Sequence, residues 1–355
     1  MELENNNKGT NLINEISQEL IVMASISGYG FSFLVKTSIE IGLFNELKNN
    51  PSNLKDLAKT LDVNEDSLKR FLRVFISIGF IKKVNKNYEC TPLGQLLQSN
   101  SENSLESVGK YLLYEPVIRS MLEMKYTLKT NKAAFEKANG VIWHNHLKEH
   151  PEVLELMENA MKSLTNGDAL KLVDIYEFEK YNLVVDIGGG KGQILSQILS
   201  KNPNTNGVLF DQPSAIESVA QNKEALGVNE RCELIGGDMF EKVPAGGDLY
   251  LVSKVLNNWN DDRVLQLLKN IRSTMSNDSK LLIVESLVDD YNISPMQAFR
   301  DLLFLICTAG GKLRSKQELS ELIEQSGLTI TSINSIQDQF YCIECKINND
   351  QKNTY

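Results

Sequence analysis

The segment Leu183 to Gly192, LVVDIGGGKG, constrains the fold of this chain more than any other. Leu183 to Ile187 is a short apolar run rich in β-branched residues, the pattern of a buried strand. The glycines that follow let the backbone turn sharply and approach a ligand without interference from Cβ atoms. A ligand is therefore expected at the carboxyl end of this strand. The spacing Gly188-x-Gly190-x-Gly192 differs from the dinucleotide pattern, because Gln193 stands three residues past Gly190.

Further apolar runs alternate with helical segments downstream: Gly207 to Asp211, Cys232 to Ile235, Asp248 to Val252 and Lys280 to Glu285. This alternation predicts an α/β domain, a Rossmann-like doubly wound parallel sheet. Asp211 ends the second strand, where a carboxylate can accept both hydroxyl protons of a ribose. Gly237-Asp238-Met239-Phe240 follows the third, where an adenine would lie.

At 355 residues and 42% hydrophobic, the chain has material for two cores. Between Asn53 and Leu97 the pattern predicts two short amphipathic helices, with Leu54, Leu57, Ala58 and Leu61 in one and Leu68, Phe71, Leu72 and Phe75 in the other. A hairpin follows, Phe80 to Val84 and Tyr88 to Thr91, which completes a winged-helix outline. The preceding helix, Phe31 to Leu47, is apolar enough to pack against a second subunit. Residues Leu105 to Tyr176 read as all-helical.

Charge narrows the partners. With 37 basic and 46 acidic residues the net charge is −9, which repels a phosphate backbone. Lys69, Arg70 and Arg73 stand beside Glu65 and Asp66, so a DNA-binding role for the winged helix is disfavoured and no nucleic-acid partner is expected. No stretch reads as the ~20 apolar residues of a membrane span, and the polar start MELENNNKGTN lacks the pattern of a signal peptide. A cytoplasmic protein with reduced cysteines is the expectation. Cys342 and Cys345 form a C-x-x-C, but on a strand from Gln339 to Lys346 they face opposite ways and cannot share a metal. His146 and His150 share a helical face, His144 does not, and no carboxylate or cysteine set accompanies them. They are read as a surface helix, and no metal site is expected.

Gly188 to Gly192, Phe210-Asp211-Gln212-Pro213, Gly237-Asp238-Met239-Phe240, Leu256-Asn257-Asn258-Trp259 and Gly310-Gly311-Lys312 occur in one order. In that order they resemble plant and bacterial small-molecule O-methyltransferases that use S-adenosylmethionine. The resemblance spans nearly the whole chain. It implies a winged-helix dimerisation domain over 12–110, a helical substrate cap over 111–176 and a methyltransferase domain over 177–346, while the Asn-rich ends, 1–11 and 347–355, have little to bury and are expected outside the fold. It also implies cofactor contacts at Asp186, Gly188, Gly190, Asp211 and Gln212, and at Asp238, Met239, Phe240, Ser253 and Lys254. The substrate pocket is expected at Trp143, Met157, Met161, Asn258, Phe304, Cys307 and Thr308.

Two positions depart from the family pattern. The usual Leu-His-Asp-Trp carries a histidine base, and this chain has Asn257 there, which takes no proton near neutral pH. Leu313 stands where relatives carry a glutamate that orients that histidine. Glu285, at a strand end, remains as the candidate base or as a cap on neighbouring backbone N–H groups. Displacement at a sulfonium methyl depends chiefly on positioning, and a base is needed only for a protonated nucleophile. The pattern therefore predicts transfer to an already reactive acceptor, most simply an oxygen. Nitrogen, carbon, or a non-methylating use of the sulfonium are the alternatives.

Overall fold

The computed structural model describes residues 17–48, 51–99, 101, 103–221, 230–289, 291–337 and 340–348. The chain divides into two units, Met1–Tyr114 and Glu115–Tyr355.

The first unit contains α1 (Gln18–Glu40), α2 (Leu43–Glu46), β1 (Ser52–Asn53), α3 (Leu54–Thr60), α4 (Glu65–Ser77), β2 (Ile81–Val84), β3 (Asn87–Cys90), α5 (Pro92–Gln95) and α6 (Glu106–Leu112). The winged-helix outline holds, and β1 adds a third strand to the hairpin in the order β1-β3-β2. Asn64 caps α4 by accepting from Ser67 N at 3.0 Å. The apolar stripe of α4 then buries Leu68, Leu72 and Phe75 against Leu43, Phe44, Leu57 and Ile81.

The helix expected over Phe31 to Leu47 is two helices. It begins thirteen residues earlier, at Gln18, and stops at Glu40, because Gly42 takes φ 72° and redirects the chain before Leu43. The expectation that no segment reaches membrane-spanning length is also corrected, since α1 is long and apolar enough by length and composition. Its Leu20, Val22, Met23, Ile26 and Tyr29 are 57–71% exposed.

In the second unit come α7 (Glu115–Leu122), α8 (Met124–Thr130), α9 (Ala134–Asn139), α10 (Trp143–Glu149) and α11 (Pro151–Ile175). Then follow β4 (Leu183–Ile187), α12 (Gln193–Lys201), β5 (Asn206–Asp211), α13 (Pro213–Gln221), β6 (Cys232–Gly236) and β7 (Leu249–Ser253). The remaining elements among the described residues are α14 (Asp261–Thr274), β8 (Lys280–Val288), α15 (Pro295–Cys307), β9 (Arg314–Ser315), α16 (Lys316–Gln325), β10 (Leu328–Gln337) and β11 (Phe340–Ile347).

The sheet order is β10-β11-β8-β7-β4-β5-β6, with β9 paired to β8. The five strands read from the sequence run parallel. An antiparallel pair, β10 and β11, extends them along β8, so the sheet is mixed rather than wholly parallel. Strand alternation sends Val185, Ile187, Tyr250 and Ile283 to a core with α14 and α16. It sends Val184, Leu251, Leu282 and Val284 to a core with α12, α13 and the end of α11.

Cys345 belongs to the first of these cores and Cys342 to the second, so the C-x-x-C is split across the sheet as its period requires. Gln339 lies outside the described residues, as do 1–11 and 349–355. Ile347, expected beyond the fold, is the buried last residue of β11, held by pairing with Leu328.

Candidate active site

The glycine-rich turn leaves β4 at the sheet centre, where the parallel neighbours β5 and β7 flank it. Gly188, Gly190 and Gly192 all have positive φ, at 70°, 55° and 71°. A Cβ on Gly188 would stand 2.8 Å from Val255, and one on Gly189 2.4 Å from Asp186 Oδ2. Beside Gly190 there is open space, so this is the point at which a ligand can meet bare backbone. Gly190 N donates to Asp211 Oδ2 at 2.8 Å and Gln212 N to Oδ1 at 2.7 Å. These bonds fix the carboxylate and leave its remaining lone pairs for a ribose.

Acidic groups gather at the turn. Burial pushes Asp186 up to about 7, with Asp211 adding to the rise. Burial likewise raises Asp211, against the two backbone N–H bonds. Glu158 on α11 is raised by burial, opposed by Lys191 in the turn, and it too feels Asp211. Lys191 Nζ reaches Glu158 Oε2 at 3.3 Å and Asn159 Oδ1 at 3.0 Å. A site with this many carboxylates suits a cationic ligand.

At the end of β7, Ser253 Oγ is buried with no partner. A 3-10 turn, Leu256–Asn258, follows and carries Asn257. Glu285 and Arg314 hold that turn from both sides. Glu285 Oε1 accepts from Leu256 N at 2.9 Å. Arg314, 3% exposed, donates to Leu256 O at 2.9 Å, to Trp259 O at 2.7 Å and to Asp261 Oδ1 at 2.9 Å. Burial pushes Glu285 up to about 7, against the pull of the backbone N–H groups of Leu256 and Asn257 and of Arg300 and Arg314. Gly311 is pressed on the turn, since a Cβ there would lie 2.7 Å from Asn257 O.

A cavity of about 490 Å³ opens between α9, α10 and the end of α15, lined by Trp143, Ile142, Cys307, Lys132, Glu136 and Asn260 among others. Its volume is that of a small-molecule site.

Over residues 121–329 the chain matches the family model of the O-methyltransferase domain, and over 29–111 that of the HVO_A0261 N-terminal domain. It is 30% identical to the phenazine O-methyltransferase PhzM of Lysobacter antibioticus, over 93% of this chain and 95% of that one. The chain belongs to the O-methyltransferase family. Similarity to the mitomycin biosynthesis 6-O-methyltransferase of Streptomyces lavendulae is 29% identity, over 83% of this chain and 85% of the relative. The solved structure of LaPhzM superposes with a TM-score of 0.87 at 29% identity, over 94% of this chain and all of the other. The protein is therefore an S-adenosylmethionine-dependent methyltransferase acting on small molecules.

The methyltransferase's residues fit that cofactor: a bare-backbone turn at Gly190, an acidic surround for a sulfonium, and an orphaned donor in Ser253 Oγ. Several expected contacts have other duties. Asp186 is 2% exposed and supports Gly189 from beneath. The Phe240 ring faces the core, packed on Trp259 at 4.6 Å and under the Arg263 guanidinium at 4.6 Å. Asp238 is exposed and accepts from Phe240 N at 2.8 Å, while Met239 is half-buried. Lys254, with φ 57°, sets its ammonium 4.5 Å from the Phe340 ring.

Of the expected acceptor pocket, Trp143 and Cys307 line the large cavity. Asn258 Nδ2 donates back to Lys254 O at 3.1 Å, and Thr308 Oγ1 bonds Phe304 O at 2.7 Å while accepting from Gly311 N. Both side chains brace the backbone instead of presenting these groups to an acceptor. Phe304 and Met157 are half-buried, and Met161 is 40% exposed. His146 is corrected from surface to core. It is 6% exposed, ring-stacked on Trp143 and edge-on to Phe135, because α10 turns that face inward. No group of three metal-ligating side chains occurs among the described residues.

Arg314 escaped sequence reasoning, although its position directly after Leu313 was in view. His144, read with the other histidines as part of a surface helix, sets its ring 4.3 Å from Trp259.

Proposed function

We propose that this methyltransferase transfers a methyl group to an oxygen of a flat, ring-containing metabolite held in the cavity beside Trp143 and Cys307. The observation that carries the reading is Asn257, 7% exposed, on a turn clamped by Glu285 and Arg314 where a histidine base is usual. The names of the phenazine and mitomycin relatives support fused-ring secondary metabolites as the acceptor class.

Bound at the β4 turn, S-adenosylmethionine supplies a methyl group activated by its sulfonium. Asp211 and the backbone at Gly190 would hold its sugar, and Ser253 the polar end nearest β7. The protein's share of catalysis is placement: the Glu285–Arg314 clamp holds the turn against the acceptor, and the apolar wall of Trp143 and Cys307 excludes water. No side chain at position 257 removes a proton.

We further propose a homodimer formed through the first unit, with the exposed apolar residues of α1 as the contact, in a soluble cytoplasmic protein. Burial in a partner is the alternative to a membrane for such a helix.

The test is incubation with methyl-labelled S-adenosylmethionine and a metabolite extract, followed by mass spectrometry. Label is expected in an aromatic compound one methyl group heavier, on oxygen. Label on nitrogen or carbon, or none at all, rejects the O-methylation assigned here.

A further inference from the structure

The turn that carries Asn257 also borders a second, much smaller cavity. Its volume is about 10 Å³ and its wall includes Asn257, Glu285, Ser286, Lys312 and Arg314. That is about the room that one water requires. Glu285 is 3% exposed and Asn257 7%. While Oε1 of Glu285 is bonded to the backbone of Leu256, its Oε2 and the Oδ1 of Asn257 are both buried without a partner. Two acceptors cannot satisfy one another, and each left bare costs about 1–3 kcal/mol.

We propose that this cavity is a one-water site joining Glu285 to Asn257, which turns the Asn257 amide oxygen inward and its NH2 outward, so that the enzyme takes its acceptor as an oxyanion. The inference rests on the methyltransferase assignment and sharpens its substrate class. One water can donate to both orphaned oxygens at once. If Glu285 is protonated, the extra proton also lies between the two oxygens, so Asn257 Oδ1 stays inward in either state. Lys312 and Arg314 stand in the cavity wall and Arg300 from α15 also acts on Glu285, while Asp261 pairs with both Lys312 and Arg314 and Glu318 with Lys312.

An outward amide NH2 donates and cannot accept. It stabilises a negative oxygen and offers nothing to the proton of a hydroxyl. The acceptor must therefore lose its proton to solvent before transfer. In the step itself the acceptor O–CH3 bond forms as the S–CH3 bond breaks. The electron pair returns to sulfur, an anion and a sulfonium become a thioether and an ether (an ester where the acceptor is a carboxylate), and no proton moves. Acceptors are thus phenols, enols or carboxylic acids acidic enough to ionise near the working pH, and aliphatic alcohols are excluded.

The experiment titrates 4-nitrophenol, whose phenolate is yellow, against the full-length enzyme saturated with S-adenosylhomocysteine. Bound probe is expected to ionise about one pH unit below free probe, a tenfold preference for the anion. Asn257→Asp, which places a carboxylate there, should reverse the sign, and Asn257→Leu should abolish the shift. Glu285→Gln, whose amide can donate to Asn257 Oδ1, should keep the shift, whereas Glu285→Leu should lose it. Bound probe that ionises at or above the free value overturns the proposal, and so does a probe that fails to bind while S-adenosylhomocysteine does. Failure of S-adenosylhomocysteine to bind in calorimetry would instead remove the methyltransferase assignment beneath it.

Discussion

Replacing Arg314 by methionine keeps much of its volume and deletes its donors. Three acceptors lose a partner: Leu256 O, Trp259 O and Asp261 Oδ1. Asp261 is 48% exposed, so water replaces that bond and its loss costs under about 1 kcal/mol. The two carbonyls face a guanidinium that is only 3% exposed, and charged hydrogen bonds of this kind contribute about 1.5–3 kcal/mol each. The sum is about 3–7 kcal/mol of destabilisation. For a unit of this size each kcal/mol lowers Tm by roughly 2–4 °C, so calorimetry should show a fall of at least about 6 °C. Because these bonds hold the Asn257 turn and not the β4 turn, kcat should fall while S-adenosylhomocysteine affinity is retained. Arg314→Lys should recover little, since one ammonium cannot span both carbonyls and Asp261. A loss under about 1 kcal/mol with unchanged kcat would refute the clamp.

Asp186→Asn tests the buried carboxyl. Its folded pKa is pushed up to about 7, above an unfolded value near 4, so the folded state binds the extra proton and wild-type stability falls as pH rises between them. At pH 8 the variant should be more stable by up to about 4 kcal/mol, the ceiling set by ~3 units, with no gain at pH 4; urea midpoints that differ equally at both pH values reject this. Gly190→Ala adds a Cβ where φ is 55° but nothing stands within 4 Å. Stability should drop by only about 1–2 kcal/mol, whereas calorimetric affinity for S-adenosylhomocysteine should fall at least tenfold; unchanged affinity would place the cofactor elsewhere. Finally, Val22→Glu with Ile26→Glu puts charge on the exposed face of α1. Sedimentation should give a monomer with native circular dichroism, and a persistent dimer would move the interface off α1.

The glycine turn and its acidic neighbour were legible because they are local. Four apolar residues around Asp186, a glycine-rich turn, and an acid closing the next strand are short-range signals, and the structure brings Gly190 N to Asp211 Oδ2 as they require. The winged-helix outline was legible for the same reason, since the i, i+3, i+4 spacing of Leu68, Phe71, Leu72 and Phe75 fixes a helix and its inner face. The extent of α1 was not. Its serines interrupt the apolar pattern, yet Ser25, Ser27 and Ser32 return their hydroxyls to carbonyls four residues back and so remain compatible with a helix.

The acceptor end was much less legible. Asn258 and Thr308 occupy positions that suggest acceptor contact, as Phe240 does for the cofactor, but each bonds or packs against the protein itself. Side-chain type shows what a residue can do, and only its neighbours decide whether that capacity is already used.

By itself the sequence determined the alternation of strands and helices that makes the parallel sheet, the position of the glycine turn, and the absence of a proton acceptor at 257. Tertiary structure alone decided what surrounds that asparagine. Residues 257, 285 and 314 are separated by long stretches of chain, and periodicity reports which face a residue takes but not which distant group it meets. The pairing of β7 with β8 and of β8 with β9 brings the three together. That packing turns a strand-end glutamate and an inconspicuous arginine into the clamp on the turn that carries Asn257.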